Sequence, residues 1–521
     1  MKNNQKELIV KNILEYLERA ALTSPDKVAF ADPEKEITYR ELVQRARGIG
    51  CSLARITQDV RQPVPVFMGK SVDTICVFFG AVYAGCFYSL LDTRQPRSRL
   101  LDILAALEQD FIITSHTYDE EIAEFAYDGR IFYLEDILAD LPEMETDSDR
   151  ALLAAIRAGS LDIDPLYCNF TSGSTGVPKG VVVGHRSVID FIDVFTELFG
   201  ITSEDIIGNQ APFDFDVSVK DIYSTIACGA TMQIIPTQYF SIPVKLLDFI
   251  CDRHCTVLIW AVSAMCIISQ LGGFEYRVPT DVKKVLFSGE VMPIRHLTEW
   301  QKALPEATFV NLYGPTEITC NCTYFIVDRM YERGEVLPSG IPFPNEKVFL
   351  LDEENKLVTD KNVNGEICVS GTALALGYYN NPEQTARAFV QNPLNKKYLE
   401  PIYRTGDLAY YNEEGQICFA SRKDFQIKHM GHRIELGEIE AAMDAVPQIE
   451  RACCIFENNK INAFYVGDID KKELSQQLGT RIPKFMIPNV FRQLPELPIT
   501  KNGKIDRKTL TETYLVKRRR H

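Results

Sequence analysis

Residues 169–180 read N-F-T-S-G-S-T-G-V-P-K-G, and from Thr171 to Gly180 they carry four hydroxyls, three glycines, a proline and a lysine. Glycines let backbone N–H groups approach an anion, hydroxyls add donors and a lysine brings a point charge, so the stretch has the chemistry of a phosphate cradle. A flexible Ser/Gly linker has a similar composition, but here Pro178-Lys179-Gly180 runs directly into the β-branched triplet Val181, Val182, Val183. A Walker-type loop places its lysine after Gly and before Ser or Thr. Lys179 stands between Pro178 and Gly180, which excludes that class.

The elements that must position this loop belong to a chain of 521 residues, long enough for more than one core. Hydrophobic and charged contents of 46% and 24% are those of a globular protein. The net charge of −15 leaves no basic field to displace counterions from a nucleic acid. The basic run Lys517 to Arg520 reads as a terminus. Fourteen scattered cysteines without a C-x-x-C, and an amino terminus without an apolar signal segment, predict reduced thiols in a cytoplasmic enzyme. C-D-R-H-C at 251–255 lacks a second ligand pair, so a metal site there is not expected. The charge-free run Ile75 to Leu91 approaches the length of a membrane span. Gly80 and Gly85 interrupt it, and it reads as a buried helix followed by a buried strand, with no membrane partner expected.

Helical periodicity covers residues 8–22, Arg40 to Leu53 and Ser187 to Phe199. Strand-like runs at 28–30, 64–68, 111–114 and 131–134 alternate with helical ones, which predicts α/β architecture. Glu143 to Arg150 is expected to be a surface loop. In P-F-D-F-D-V-S-V-K-D-I-Y (212–223), Asp214, Asp216, Ser218 and Lys220 share a face if the segment is extended, whereas Asp216, Val219 and Lys220 lie together if it is helical. Local pattern leaves both open. Val285-Leu286-Phe287 before Ser288-Gly289-Glu290, and Phe309 to Tyr313 before Gly314-Pro315-Thr316-Glu317, read as strands ending in polar turns, where open α/β sheets place ligands. From Asp424 the texture becomes that of a small α+β domain, with a helix at 435–446 and short strands at 453–456 and 463–466.

T-S-G-S-T-G-V-P-K-G from Thr171, N-L-Y-G-P-T-E from Asn311, Y-R-T-G-D-L from Tyr403, G-H-R-I-E-L-G-E-I-E from Gly431 and N-G-K-I-D-R from Asn502 stand in an order that resembles the adenylate-forming superfamily. Within it, the chain is similar to amino-acid adenylation domains of nonribosomal peptide synthetases and to D-alanine–carrier protein ligases. Weaker matches, I-T-Y-R-E-L from Ile37 and Y-A-G-C-F-Y-S-L-L-D from Tyr83, extend the resemblance towards the amino terminus.

The resemblance implies an α/β fold. A large N-terminal domain (1–423) of mixed, largely parallel sheets with flanking helices would be followed by a small mobile C-terminal α+β domain (424–521) hinged near Asp424. It implies ATP and Mg²⁺. Thr171, Ser172, Gly173, Ser174, Thr175, Gly176 and Lys179 would hold phosphates, and Thr316 would contact the α-phosphate. Glu317 would hold the metal, while Tyr313, in the stretch Asn311 to Gly314, would stack on adenine. Asp407 would take the ribose hydroxyls with Arg422 assisting, and Lys428 would join the nucleotide contacts. Lys504 would bridge the substrate carboxylate and the phosphate. His429-Met430 departs from the apolar-then-polar pair usual before the motif glycine.

The family's specificity pocket carries over to Asp216, Val217, Lys220, Ile259, Leu286, Ser288, Leu312, Cys320 and Asn321. Asp216 would pair with an α-ammonium group, which favours an amino acid over a fatty or aryl acid. Lys220 stands where an aromatic residue is common and needs a partner to offset its desolvation. A substrate carboxylate, Asp216, Asp221 or solvent could supply it. The pocket predicts a small polar or acidic amino acid. With neither a G-G-x-S carrier site nor an H-H-x-x-x-D-G condensation motif in the sequence, loading of a separate phosphopantetheinylated carrier protein is expected. D-Alanine stays open as substrate. Acyl-CoA synthesis and non-catalytic nucleotide binding are the other readings. Retention of Lys179, Glu317, Asp407 and Lys504 argues against the last.

Overall fold

The computed structural model describes residues 10–140, 146–172, 178–423, 425–499 and 505–515. The chain divides into a larger compact unit (1–93, 107–169 and 181–423) and a smaller one (94–106, 170–180 and 424–521).

Among the described residues, the widest sheet of the larger unit runs in the order Ile341–Pro342, Thr323–Ile326, Thr308–Tyr313, Lys284–Ser288, Val257–Ala261, Ile206–Asn209, Thr231–Ile234, Val28–Ala31, Glu36–Thr38. Its centre is parallel and its two ends antiparallel. The two faces of the central strands bury different cores. Ile259, Leu286 and Leu312 pack with Val219 and Ile222, whereas Trp260, Phe287 and Phe309 pack with Met265 and Trp300. That is the alternation of a strand covered on both sides.

A second sheet joins Gly377–Tyr378, Lys179–Gly184, Pro165–Thr171, Phe87–Leu90, Pro63–Val66, Phe111–Thr114 and Arg130–Tyr133. The charge-free run is a core element: the helix Val72–Tyr83 is buried on every side from Thr74 onward, and Phe87–Leu90 follows it as a buried strand. Gly80 marks a close helix crossing, since a Cβ there would lie 2.4 Å from Ile49 Cγ2. I-T-Y-R-E-L is the start of the opposing helix Tyr39–Thr57, where Thr38 and Glu41 form a reciprocal capping box.

The third sheet, built on Glu346–Leu351, Gly365–Gly371, Pro401–Tyr411 and Ile417–Arg422, is antiparallel and completes the mixed α/β architecture. One expectation changes. The acidic stretch expected as a loop becomes helical from Asp147, because Thr146 and Asp149 cap the helix Asp147–Ala158 and Leu153 anchors it.

In the smaller unit, the hairpin Gln426–His429/His432–Glu435 leads into the helix Leu436–Asp444, followed by a sheet of Ile449–Glu457, Lys460–Gly467 and Val490–Gln493. Ile434, Ile439, Met443, Ile461 and Leu474 form its core. Arg99 and Glu438 are ion-paired at 2.5 Å within this unit, both buried.

Candidate functional site

The ambiguous acidic segment is a helix, Val217–Cys228, preceded by Asp216. Helical geometry therefore brings Lys220 to the position one turn beyond Asp216. The helix packs on the sheet face that carries Ile259 and Leu286, which are register partners, and Ser288, which pairs with Ala261. Leu312 lies on the same face of the neighbouring strand. Asp216 and Val217 stay half-buried at the helix start.

Lys220 is fully buried. Its Nζ donates to Asn321 Oδ1 at 2.7 Å and lies 3.5 Å from Ser288 Oγ, which joins three residues of the expected pocket and excludes the solvent-facing alternative. Burial lowers the lysine pKa, against the pull of Cys320, Asp216 and Asp221. Burial also pushes the Asp221 carboxyl up to about 7. Asp221 accepts from the Asn209 side chain, and Cys320 donates its thiol to the Asp216 carbonyl at 2.9 Å.

Leu312 and Tyr313 end their strand at Gly314, which has no room for a side chain: a Cβ would lie 2.5 Å from Asn321 Cα and 2.6 Å from the Cys320 carbonyl oxygen. The chain then makes the 3₁₀ turn Thr316–Ile318 and turns back with Thr319 and Cys320 at positive φ (53° and 77°). Thr319 Oγ1 donates to the Ala373 carbonyl at 2.6 Å, and Ala375 N–H donates to the Glu317 carbonyl at 2.9 Å. These bonds hold a strained return that delivers Cys320 to the Asp216 carbonyl and Asn321 to Lys220. Thr316 is half-buried and Glu317 fully buried, with Tyr378 donating its hydroxyl to Glu317 Oε1 at 2.8 Å. Asn311 donates to the Pro338 carbonyl at 2.7 Å.

Asp407 and Arg422 are cross-strand partners. Asp407 Oδ1 accepts from Arg422 at 2.6 Å and Oδ2 from Tyr313 at 2.5 Å, while its own N–H donates to Thr405 Oγ1 at 3.0 Å. Each carboxylate oxygen keeps a second lone pair for another donor.

Thr171 ends the strand Pro165–Thr171, and Lys179 begins Lys179–Gly184. Gly173, Ser174, Thr175 and Gly176 lie outside the described residues, as do Asp424 and Lys504. In the smaller unit Ser172 Oγ donates to the Arg433 carbonyl at 2.9 Å, and Lys428 is the register partner of Arg433. His429 is buried against the Phe456 ring, and Met430, at φ 53°, makes the hairpin turn with Gly431.

Glu317 suits a hard cation that takes its remaining ligands from phosphate and water. Among the described residues no group of three His, Cys, Asp or Glu side chains could hold a metal by itself. In C-D-R-H-C, His254 is paired with Asp281 at 2.7 Å, the Cys251 thiol donates to the Val278 carbonyl, and neither cysteine is in a disulfide. Sequence reasoning missed Tyr378, Thr405 and Asn209. Tyr378 stands 61 positions from Glu317 and nothing local ties the two.

Among the described residues no helix is long and apolar enough to cross a membrane. The family model "AMP-binding enzyme" matches residues 17–379, and "AMP-binding enzyme C-terminal domain" matches 438–504. The chain is 31% identical over 542 residues to bacitracin synthase 1 of Bacillus licheniformis, an alignment covering 98% of this chain and 10% of that one. It thus spans about a tenth of that relative's length. It is 30% identical over 515 residues to the D-alanine--D-alanyl carrier protein ligase of Staphylococcus aureus, covering 96% of this chain and 99% of the ligase. The Vibrio cholerae adenylation domain AlmE, solved in complex with glycyl-adenosine-5'-phosphate, shares the fold with a TM-score of 0.81 at 22% identity, covering 97% of this chain and 98% of that one. With the family model spanning most of its length and the motifs in order, the chain belongs to the AMP-binding enzymes, the family of adenylate-forming ligases.

Proposed function

We propose that this protein activates a small polar or acidic amino acid with ATP, giving the aminoacyl-AMP and pyrophosphate, and then transfers the aminoacyl group to the phosphopantetheine thiol of a carrier protein. In the first step a carboxylate oxygen of the amino acid attacks the α-phosphorus and the bond to the β-phosphate oxygen breaks. In the second step the carrier's thiolate sulfur attacks the acyl carbon and AMP leaves. The observation that carries the nucleotide half is the set Tyr313–Asp407–Arg422, in which the buried Tyr313 and Asp407 and the partly buried Arg422 are joined by bonds of 2.5 and 2.6 Å. It offers an aromatic face and a carboxylate fixed in orientation by two donors.

In this reading Asp407 accepts the ribose hydroxyls, Arg422 fixes Asp407, and Tyr313 with Asn311 and Gly314 forms the adenine wall. Thr316 contacts the α-phosphate. Glu317 holds Mg²⁺, which when bound neutralises phosphate charge. Thr171, Ser172, Gly173, Ser174, Thr175, Gly176 and Lys179 cover the phosphates, with Lys428 contributing from the hairpin. Lys504 bridges the two reacting anions, whose mutual repulsion is otherwise part of the barrier. Asp216 takes the α-ammonium group, and Val217, Ile259, Leu286 and Leu312 shape the side-chain pocket. Residues 424–521 turn about Asp424 between the half-reactions.

Similarity to the S. aureus ligase over nearly its whole length keeps D-alanine among the candidate substrates. Amino-acid-dependent exchange of labelled pyrophosphate into ATP, followed by loading of a phosphopantetheinylated carrier, tests the proposal. Exchange driven only by fatty or aryl acids, with coenzyme A as acceptor, would overturn it in favour of an acyl-CoA synthetase.

A further inference from the structure

We propose that the amino acid taken by this site is dicarboxylic and that Lys220, Asn321 and Ser288 together read its side-chain carboxylate. The inference rests on the amino-acid-activating reading above and narrows its substrate class.

Lys220 is an ammonium group with no solvent exposure, held by two neutral oxygens, of which only Asn321 Oδ1 at 2.7 Å is within a normal bonding distance. Among the described residues no carboxylate forms an ion pair with it. Burial disfavours its charged form against the pull of Asp216 and Asp221, and an anion seated beside it would favour the ammonium and offset its lost hydration. The neighbouring Asp221 attracts Lys220 without forming an ion pair with it: its carboxyl accepts from the Asn209 side chain, and burial pushes its pKa up to about 7.

The donors around Lys220 also suit a carboxylate. Asn321 uses its carbonyl oxygen on the lysine, which leaves its amide N–H groups to donate, and Ser288 contributes a hydroxyl. Both side chains are buried. Cys320 is not a competing donor, since its thiol is spent on the Asp216 carbonyl. Asp216, at the N-cap of the helix Val217–Cys228, and Lys220 within it thus present a negative and a positive group about one helical turn apart. An amino acid with an α-ammonium group and a side-chain carboxylate presents the opposite pair. Serine, glycine or alanine would bring no carboxylate to Lys220, and a site built to bond a polar partner discriminates strongly against an analogue that lacks it.

The test is pyrophosphate exchange by the full chain with both enantiomers of aspartate and glutamate, their amides asparagine and glutamine, and serine, alanine and glycine. The expected result is one dicarboxylic acid with kcat/KM at least about tenfold above its own amide and above the three small acids. Lys220→Met and Asn321→Asp, the latter giving Lys220 an internal counter-charge, should each cut that acid-to-amide ratio by about tenfold or more. Preference of the parent protein for a neutral amino acid overturns this inference and leaves amino-acid activation standing. An unmoved ratio in either folded variant overturns it as well. If a variant does not fold, the panel on the parent decides by itself. Exchange with no amino acid at all overturns both readings.

Discussion

Tyr313 donates its phenolic hydroxyl to Asp407 across 2.5 Å, although 94 residues separate them in sequence. Arg422 holds the other oxygen of the same carboxylate, so a nearly inaccessible acid is fixed from two sides. Tyr313→Phe removes one charge-assisted bond from a buried carboxylate, a loss of about 1.5–3 kcal/mol. Thermal denaturation should register that loss, and the KM for ATP in pyrophosphate exchange should rise. Asp407→Asn should raise KM for ATP by about tenfold or more. Unchanged ATP affinity in both variants would remove Asp407 from the nucleotide site.

Glu317 and Tyr378 supply a second test. Glu317→Gln keeps the shape and the acceptor for Tyr378 but removes the charge, so saturation of the exchange reaction by Mg²⁺ should shift to higher metal concentration. Tyr378→Phe leaves the carboxylate and removes the group that orients it, and outer contacts of this kind are worth about 10–100-fold in metal affinity. A Mg²⁺ titration that superimposes for parent and both variants would show that Glu317 does not hold the metal.

Those two contacts also show where sequence reading stops. The helix Tyr39–Thr57 was legible because its apolar residues recur at helical spacing. The strands ending at Ser288 and Tyr313 were legible because apolar runs stop at polar turns. Segment 212–223 was not, since its apolar and acidic residues satisfy period 2 and period 3.6 alike. Packing of the helix on the sheet face with Ile259 and Leu286 decides it. The partner of Lys220 was also out of reach. Asn321 stands 101 positions away and arrives through two non-glycine residues at positive φ, a backbone conformation that no local propensity announces.

Glu346 gives a prediction in pH. Its carboxyl is buried beside the Ala373 N–H and near Asp190, and burial pushes its pKa up to about 8 from 4.5. The folded protein therefore keeps a proton that the unfolded chain has released between those values. This group's contribution is fully present below about pH 4.5 and is lost as pH rises through about 8. Glu346→Gln carries no titrating proton and can keep the bond from Ala373. The variant's melting temperature should gain on the parent's as pH rises through that window and hold a constant difference above it. A difference that does not change with pH would mean that the folded-state carboxyl is ionised throughout.

The last prediction separates the two half-reactions. Lys504 lies beyond the described residues, in the N-G-K-I-D-R motif of the segment matched by the C-terminal family model, which ends at 504. If its ammonium group bridges the attacking carboxylate and the α-phosphate, its whole effect falls on the step in which two anions meet. In the second step the nucleophile is a thiolate and the leaving group is AMP, so that bridge has no counterpart. Lys504→Ala should therefore abolish pyrophosphate exchange, a loss of about 10²-fold or more, while a supplied aminoacyl-AMP still loads the carrier at close to the parent rate. Lys179→Ala provides the contrast, because a phosphate-covering residue should raise KM for ATP more than it lowers the maximal rate. Equal loss of both half-reactions in the Lys504 variant would point to a folding role, and survival of both would remove the bridge from the mechanism.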